Sequence, residues 1–146
     1  MRRYKMNIAK QELKQYLNME DAIRGLKERK LQYTTKATKT TASYSQTTSR
    51  TNTTSDKVGD NAIKLAEIDK EIDRIIEEMD ATKVKLIKRI NKVEPQYRGL
   101  LIAVYINGKS LREYSYTKNY SYSRIKHIHG DALEDYIKKN FNAEKS

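Results

Sequence analysis

The residues best suited to chemistry lie between Lys109 and His127. Lys109, Arg112, Lys118 and Arg124 are cations of the kind that neutralise phosphate, and Tyr122, Ser123, Lys126 and His127 bring hydrogen-bonding side chains into the short string YSRIKHI. Cations spaced along a surface hold a nucleic-acid backbone by charge, whereas polar side chains near a helix start can reach base edges. Other chemistries find no footing. His127 and His129 are two positions apart, so on a helix they diverge by about 200° and cannot share a ligand. The chain has no Cys, which removes disulfides and thiolate metal sites. It shows no Ser/His/Asp or Cys/His arrangement and no Gly-rich phosphate loop. Acidic pairs such as Asp69 and Asp73 have Lys neighbours on a helical stretch and read as solvated ion pairs. The expectation is a binding protein, with no enzymatic activity, cofactor or metal.

Those residues need elements to hold them. Pro95 suits the first position of a helix, where its missing N–H is not needed. A helix over 95–107 then places Tyr97, Leu100, Leu101, Val104 and Tyr105 on one face, and Asn107-Gly108 ends it. Ser110 caps the next short helix, with Glu113 three residues on completing a capping box. Thr117-Lys118-Asn119 is a turn. Ser121 caps a last helix through Tyr136, whose buried stripe is Ile125, Ile128, Ala132, Leu133 and Tyr136. Support helix, short helix, tight turn and longer helix make up a helix-turn-helix. The bland counterpart is a three-helix bundle that binds nothing. An alternating run over residues 114–122 would allow a strand, but the Ser caps on either side favour helices. Tyr114 and Tyr120 are then expected in the core, and Tyr116 and Tyr122 at the surface.

The string SLREYSYTKNYSYSRIKHIHGDAL resembles the fourth region of bacterial sigma factors. It is closer to the small sigma-like late-gene regulators of Gram-positive phages and prophages, of the ArpU and RinA type. In that pattern a capped short helix is followed, eleven residues after its cap, by the Ser or Thr that caps the recognition helix. Aliphatic residues follow four and seven positions later, and Ala-Leu at eleven and twelve. Ser110, Ser121, Ile125, Ile128 and Ala132-Leu133 occupy those positions. Tyr114 stands where the family usually has Ile or Val, and Lys118 where a buried Leu is common. The resemblance implies a phage or prophage transcriptional regulator in the bacterial cytoplasm. It would bind double-stranded DNA in a sequence-specific way, with Lys109, Arg112, Lys118 and Arg124 on phosphate and Tyr122, Ser123, Lys126 and His127 on bases.

The remainder of the chain fits an all-α protein. Its 146 residues carry 30 Lys+Arg against 19 Asp+Glu, a net charge of +11, with a mean hydropathy of −0.91. That balance suits a polyanionic partner, and no apolar run is long enough to cross a bilayer. Leu13, Tyr16, Leu17, Ile23 and Leu26 mark a helix within residues 1–32. Residues 34–55 are dominated by Thr and Ser with almost nothing to bury, which predicts a long flexible linker over 33–59. Leu65, Ile68, Ile72, Ile75 and Met79 follow the coiled-coil spacing. The stripe then resumes about one residue out of step at Val84, Ile87 and Ile90, with Leu86 beside it, which predicts a stutter, a bend or a short break near Asp80.

Residues 1–94 are therefore expected to form a helical hairpin or coiled coil, serving a homodimer or contact with host RNA polymerase. Residues 95–140 form the helix-turn-helix. Two other functions stay open: a DNA-packaging recognition subunit of the small-terminase kind, and a phage protein-interaction module that modulates a host factor.

Overall fold

A computed structural model describes the backbone of residues 2–44 and 51–142, and the side chains of residues 3–35 and 59–142. The described residues form six helices and no strand: α1 (Arg2–Leu13), α2 (Gln15–Tyr44), α3 (Thr51–Ile90), α4 (Pro95–Tyr105), α5 (Leu111–Lys118) and α6 (Tyr122–Asn140). The protein is all-α, as the helical periodicities imply. Helical backbone runs on through Tyr44 and resumes at Thr51. The expected linker otherwise falls outside the described residues at positions 45–50, and so do the side chains at positions 36–58. None of the helices described is long and apolar enough to cross a membrane.

The chain divides into two compact units, Met1–Met19 with Met79–Ser146, and Glu20–Glu78. This is not the division expected at residue 94. Residues 1–19 belong with the C-terminal helices because α1 packs on α6 and delivers Ala9 and Leu13, both wholly buried, into their core. That core also takes Leu86, Ile90 and Val93 from the end of α3 and its exit, together with Leu100, Leu101, Tyr105, Ile125, Leu133 and Tyr136. Burying a Leu or Ile completely is worth about 1.5–3 kcal/mol, so residues 93–146 alone would lack a large part of the apolar surface that stabilises them. Ordered polar contacts follow the same seam. Glu12 pairs with Arg89 and accepts a hydrogen bond from the Tyr136 hydroxyl at 2.5 Å. Asn140 Nδ2 donates to the Arg89 and Tyr136 carbonyls.

The second unit pairs α2 with α3. Ile23, Ile72 and Ile75 are its buried apolar residues among those described. Lys30 Nζ lies 2.7 Å from Asp69, and Lys64 sits over the Tyr33 ring. The expected packing of the 8–31 and 60–93 segments thus holds in this unit for residues 20–35 and 59–78.

No break occurs near Asp80, since α3 is continuous from Thr51 to Ile90. The expected slip has a different origin. Steps of three and four run without interruption through Leu65, Ile68, Ile72, Ile75, Met79, Thr82, Leu86, Arg89 and Val93, and none of these nine is exposed. Thr82 and Arg89 are the two polar members. Counting apolar residues alone skips these two positions and picks up Val84 instead, which is exposed. Arg89 tolerates a seam position because Glu12 neutralises it there.

Candidate nucleic-acid interface

The local chemistry of residues 94–124 produces the expected turns. Glu94 precedes α4, and Pro95 opens it. Gly108 has φ +73°, the left-handed conformation that favours glycine. Ser110 Oγ accepts the Glu113 N–H at 3.1 Å, and Ser121 Oγ accepts the Arg124 N–H at 3.1 Å. Between them, α5 ends on Asn119 in the left-handed region at φ 57°, where a short polar side chain is tolerated. The Tyr120 N–H reaches back to the Ser115 carbonyl at 3.0 Å, and the Asn119 N–H reaches the Tyr116 carbonyl, which makes the turn a Schellman motif. Three residues, Asn119–Ser121, therefore separate α5 from α6, and the two helices pack on each other and on α4.

Tyr114 is half-buried against the core, with its hydroxyl at ordinary contact distance, 3.5 Å, from where a Cβ on Gly99 of α4 would lie. Lys118 is exposed, with its ammonium 5.8 Å from the centre of the Tyr114 ring.

All eight of the predicted interface residues are exposed. The fold brings three of them together: the Tyr122 ring lies between Arg112 from α5, at 4.6 Å, and Lys126 from α6, at 5.0 Å. Such cation–ring contacts at exposed sites are weak, about 0.5–1 kcal/mol, so they order the cations without withdrawing them from an anion. Arg124 stacks at 4.0 Å on Tyr120. His127 is open to solvent, 82% exposed at its side chain, with Nε2 3.8 Å from Asp131. Lys109 stands exposed in the loop before α5 and Ser123 in the first turn of α6, and neither shares a side-chain partner with the others among the described contacts.

Two expectations about this region need correction. Tyr120 is not core but 40% exposed. It lies in the turn after a left-handed residue, where helical spacing no longer predicts direction, and its exposed ring is what Arg124 rests on. The last helix also runs beyond Tyr136 to Asn140, and Ile137 and Asn140 join its buried face.

His129, two residues from His127, has a different setting. Its Nε2 is 2.7 Å from the Tyr105 hydroxyl, and the two rings stack. Burial, followed by the positive charges of Lys10 and Lys14, pushes its pKa down to about 4. Burial likewise raises the Tyr105 hydroxyl to about 12. At neutral pH both groups are uncharged and share one hydrogen bond, so His129 positions α4 against α6. The two histidines thus divide as the helix geometry requires, one outward and one inward.

Comparison of the chain with protein-family models, with curated proteins and with solved structures finds no match.

Proposed function

We propose that this chain is a sequence-specific double-stranded DNA-binding protein that regulates transcription of phage or prophage genes, with α5, its turn and α6 as the reading head. The observation that carries this reading is the exposed array at the start of α6. There Arg112 and Lys126 flank Tyr122, and Arg124 rests on Tyr120, beside a Ser-capped helix N-terminus. The arrangement matches what a groove-reading helix requires, namely cations for phosphate and short polar side chains in the first turn for base edges. In this reading Lys109, Arg112, Lys118 and Arg124 contact phosphate, and Tyr122, Ser123, Lys126 and His127 face bases. The hairpin of residues 20–78 is left for dimerisation or for contact with RNA polymerase.

The test is selection of binding sites from a random duplex library, followed by gel shifts with the Arg124→Ala, Lys126→Ala double variant. The variant should keep wild-type helicity by circular dichroism. Its affinity for the selected site should fall about 10- to 100-fold, since a good base contact is worth about 1–3 kcal/mol. Unchanged affinity would remove these residues from the interface, and failure to enrich any sequence would sink the reading.

A further inference from the structure

The N-terminal helix does more than close the core. Helix α1 lies antiparallel along α6, and the first turn of α2 reaches the loop after α4. Lys5 reaches Asn142 at the far end, Glu12 meets Tyr136, and Leu17 lies beside Gly108, 3.6 Å from where a Cβ would be. Hydrogen bonds from the Lys14 N–H to the Lys10 carbonyl and from the Asn18 N–H to the Lys14 carbonyl carry helical spacing across the α1–α2 joint. Residues 10 and 14 therefore project from one face, with Lys14 between the Glu12–Tyr136 contact and the Leu17–Gly108 contact and Lys10 one half-turn before the first. Lys109 follows Gly108 directly. Lys14 is exposed and Lys10 half-buried.

The charges on this face are unusual. Arg3, Lys10 and Lys14 share it, and the only carboxylate in α1, Glu12, points inward to Arg89. Like charges four residues apart destabilise a helix on their own, and here neither lysine has an acidic partner among the described contacts. His129 on α6 lies within reach of both lysine charges and is itself uncharged at neutral pH. A pair of uncompensated cations held beside the reading head favours an anionic partner.

We infer that Lys10 and Lys14 extend the nucleic-acid interface, contacting backbone phosphates on the flank of the site and joining Lys109 in a continuous basic edge. This rests on the DNA-binding reading of α5 and α6. It gives the first 19 residues a direct part in binding, where sequence reasoning assigns them only to oligomerisation or a protein partner.

The two ideas separate by the salt dependence of binding. Full-length protein is titrated into a labelled mixed-sequence DNA duplex at a series of KCl concentrations, and log affinity is plotted against log salt. Each phosphate contact contributes about 0.9 to the magnitude of the slope. The Lys10→Gln, Lys14→Gln variant should show a slope smaller by about 1.8, and Lys14→Gln alone by about 0.9. Lys10→Arg, Lys14→Arg should restore the wild-type slope, which a purely structural role would not predict. Preference for the selected site over random DNA should not change, because phosphate contacts carry no sequence information. A wild-type slope in both Gln variants overturns this inference and leaves the reading head untouched. Absence of any salt-sensitive binding by the wild-type chain overturns the DNA-binding reading and this inference together.

Discussion

The two units of the molecule are built from the same kind of helix but hold together differently. In the unit of residues 1–19 and 79–146, four helices and the end of a fifth surround a closed core, with twelve of the described side chains almost completely removed from solvent. In the unit of residues 20–78, two helices meet along one line. Only Ile23, Ile72 and Ile75 are buried among the side chains described, and the polar contacts are exposed pairs such as Lys30–Asp69 and Arg74 with Glu71 and Glu78. Exposed ion pairs contribute little, about 0–1 kcal/mol each, whereas closed apolar packing is the main source of stability. The lesson is that a coiled-coil repeat in the sequence does not reveal how deep the resulting core will be. Depth depends on how many other helices arrive at the stripe.

The contrast can be broken most directly by deleting equivalent apolar bulk from each unit. Leu101→Ala should lower the stability of the larger unit by about 2–5 kcal/mol, because Leu101 is wholly buried in a core drawn from several helices, which cannot collapse into the cavity. Ile72→Ala should cost the hairpin less, because a two-helix seam can close up around a smaller residue. Chemical denaturation followed by circular dichroism measures the first. Amide hydrogen exchange resolves the second and should show residues 20–35 and 59–78 exchanging faster than α4–α6 even in the wild type. Equal protection in both units would remove the distinction.

A smaller effect is expected from the polar tie between α1 and the core. In Glu12→Gln the Tyr136 hydroxyl keeps an acceptor, but the mostly buried Arg89 loses the charge of Glu12 beside it. The side chains of the pair are about one-sixth exposed, so the loss should fall below that of a fully buried pair, at about 1–3 kcal/mol. It should appear as loosened α1, seen as faster exchange at Ala9 and Leu13, with the hairpin unchanged. Wild-type exchange at both positions would show that apolar packing alone docks α1.

The smallest expected effect is a pH dependence confined to the larger unit. His129 has a folded-state pKa near 4, below its usual 6.5, so the folded state binds fewer protons than the unfolded chain between those values. Its contribution is fully present above about pH 6.5 and is lost as the pH falls toward 4. Partial exposure screens the effect, so about 1–2 kcal/mol should disappear over that window. Thermal melts across the range should show a steeper acid loss in wild type than in His129→Gln, and identical profiles would place the proton elsewhere.

Local structure was legible because its causes are local. Pro95, Gly108, Ser110, Asn119 and Ser121 each fix a helix boundary through their own backbone or side-chain chemistry, and the helix-turn-helix elements with their exposed cations follow from them. Three features were not legible, two because the deciding partner is distant in sequence and one because a left-handed turn resets the direction of the residue after it. Thr82 and Arg89 look like interruptions of a stripe until Glu12, more than seventy positions away, neutralises the arginine. Tyr120 looks like core until the turn at Asn119 rotates it outward beneath Arg124. Residues 1–19 read as part of the N-terminal hairpin, and their docking on α6 depends on the fit of Ala9 and Leu13 into a core assembled from three other helices. Helix propensity, capping and turn chemistry act over a few residues and are written into the string itself. Which face meets which partner is a competition among all the apolar surfaces of the chain, and only the folded structure decides it.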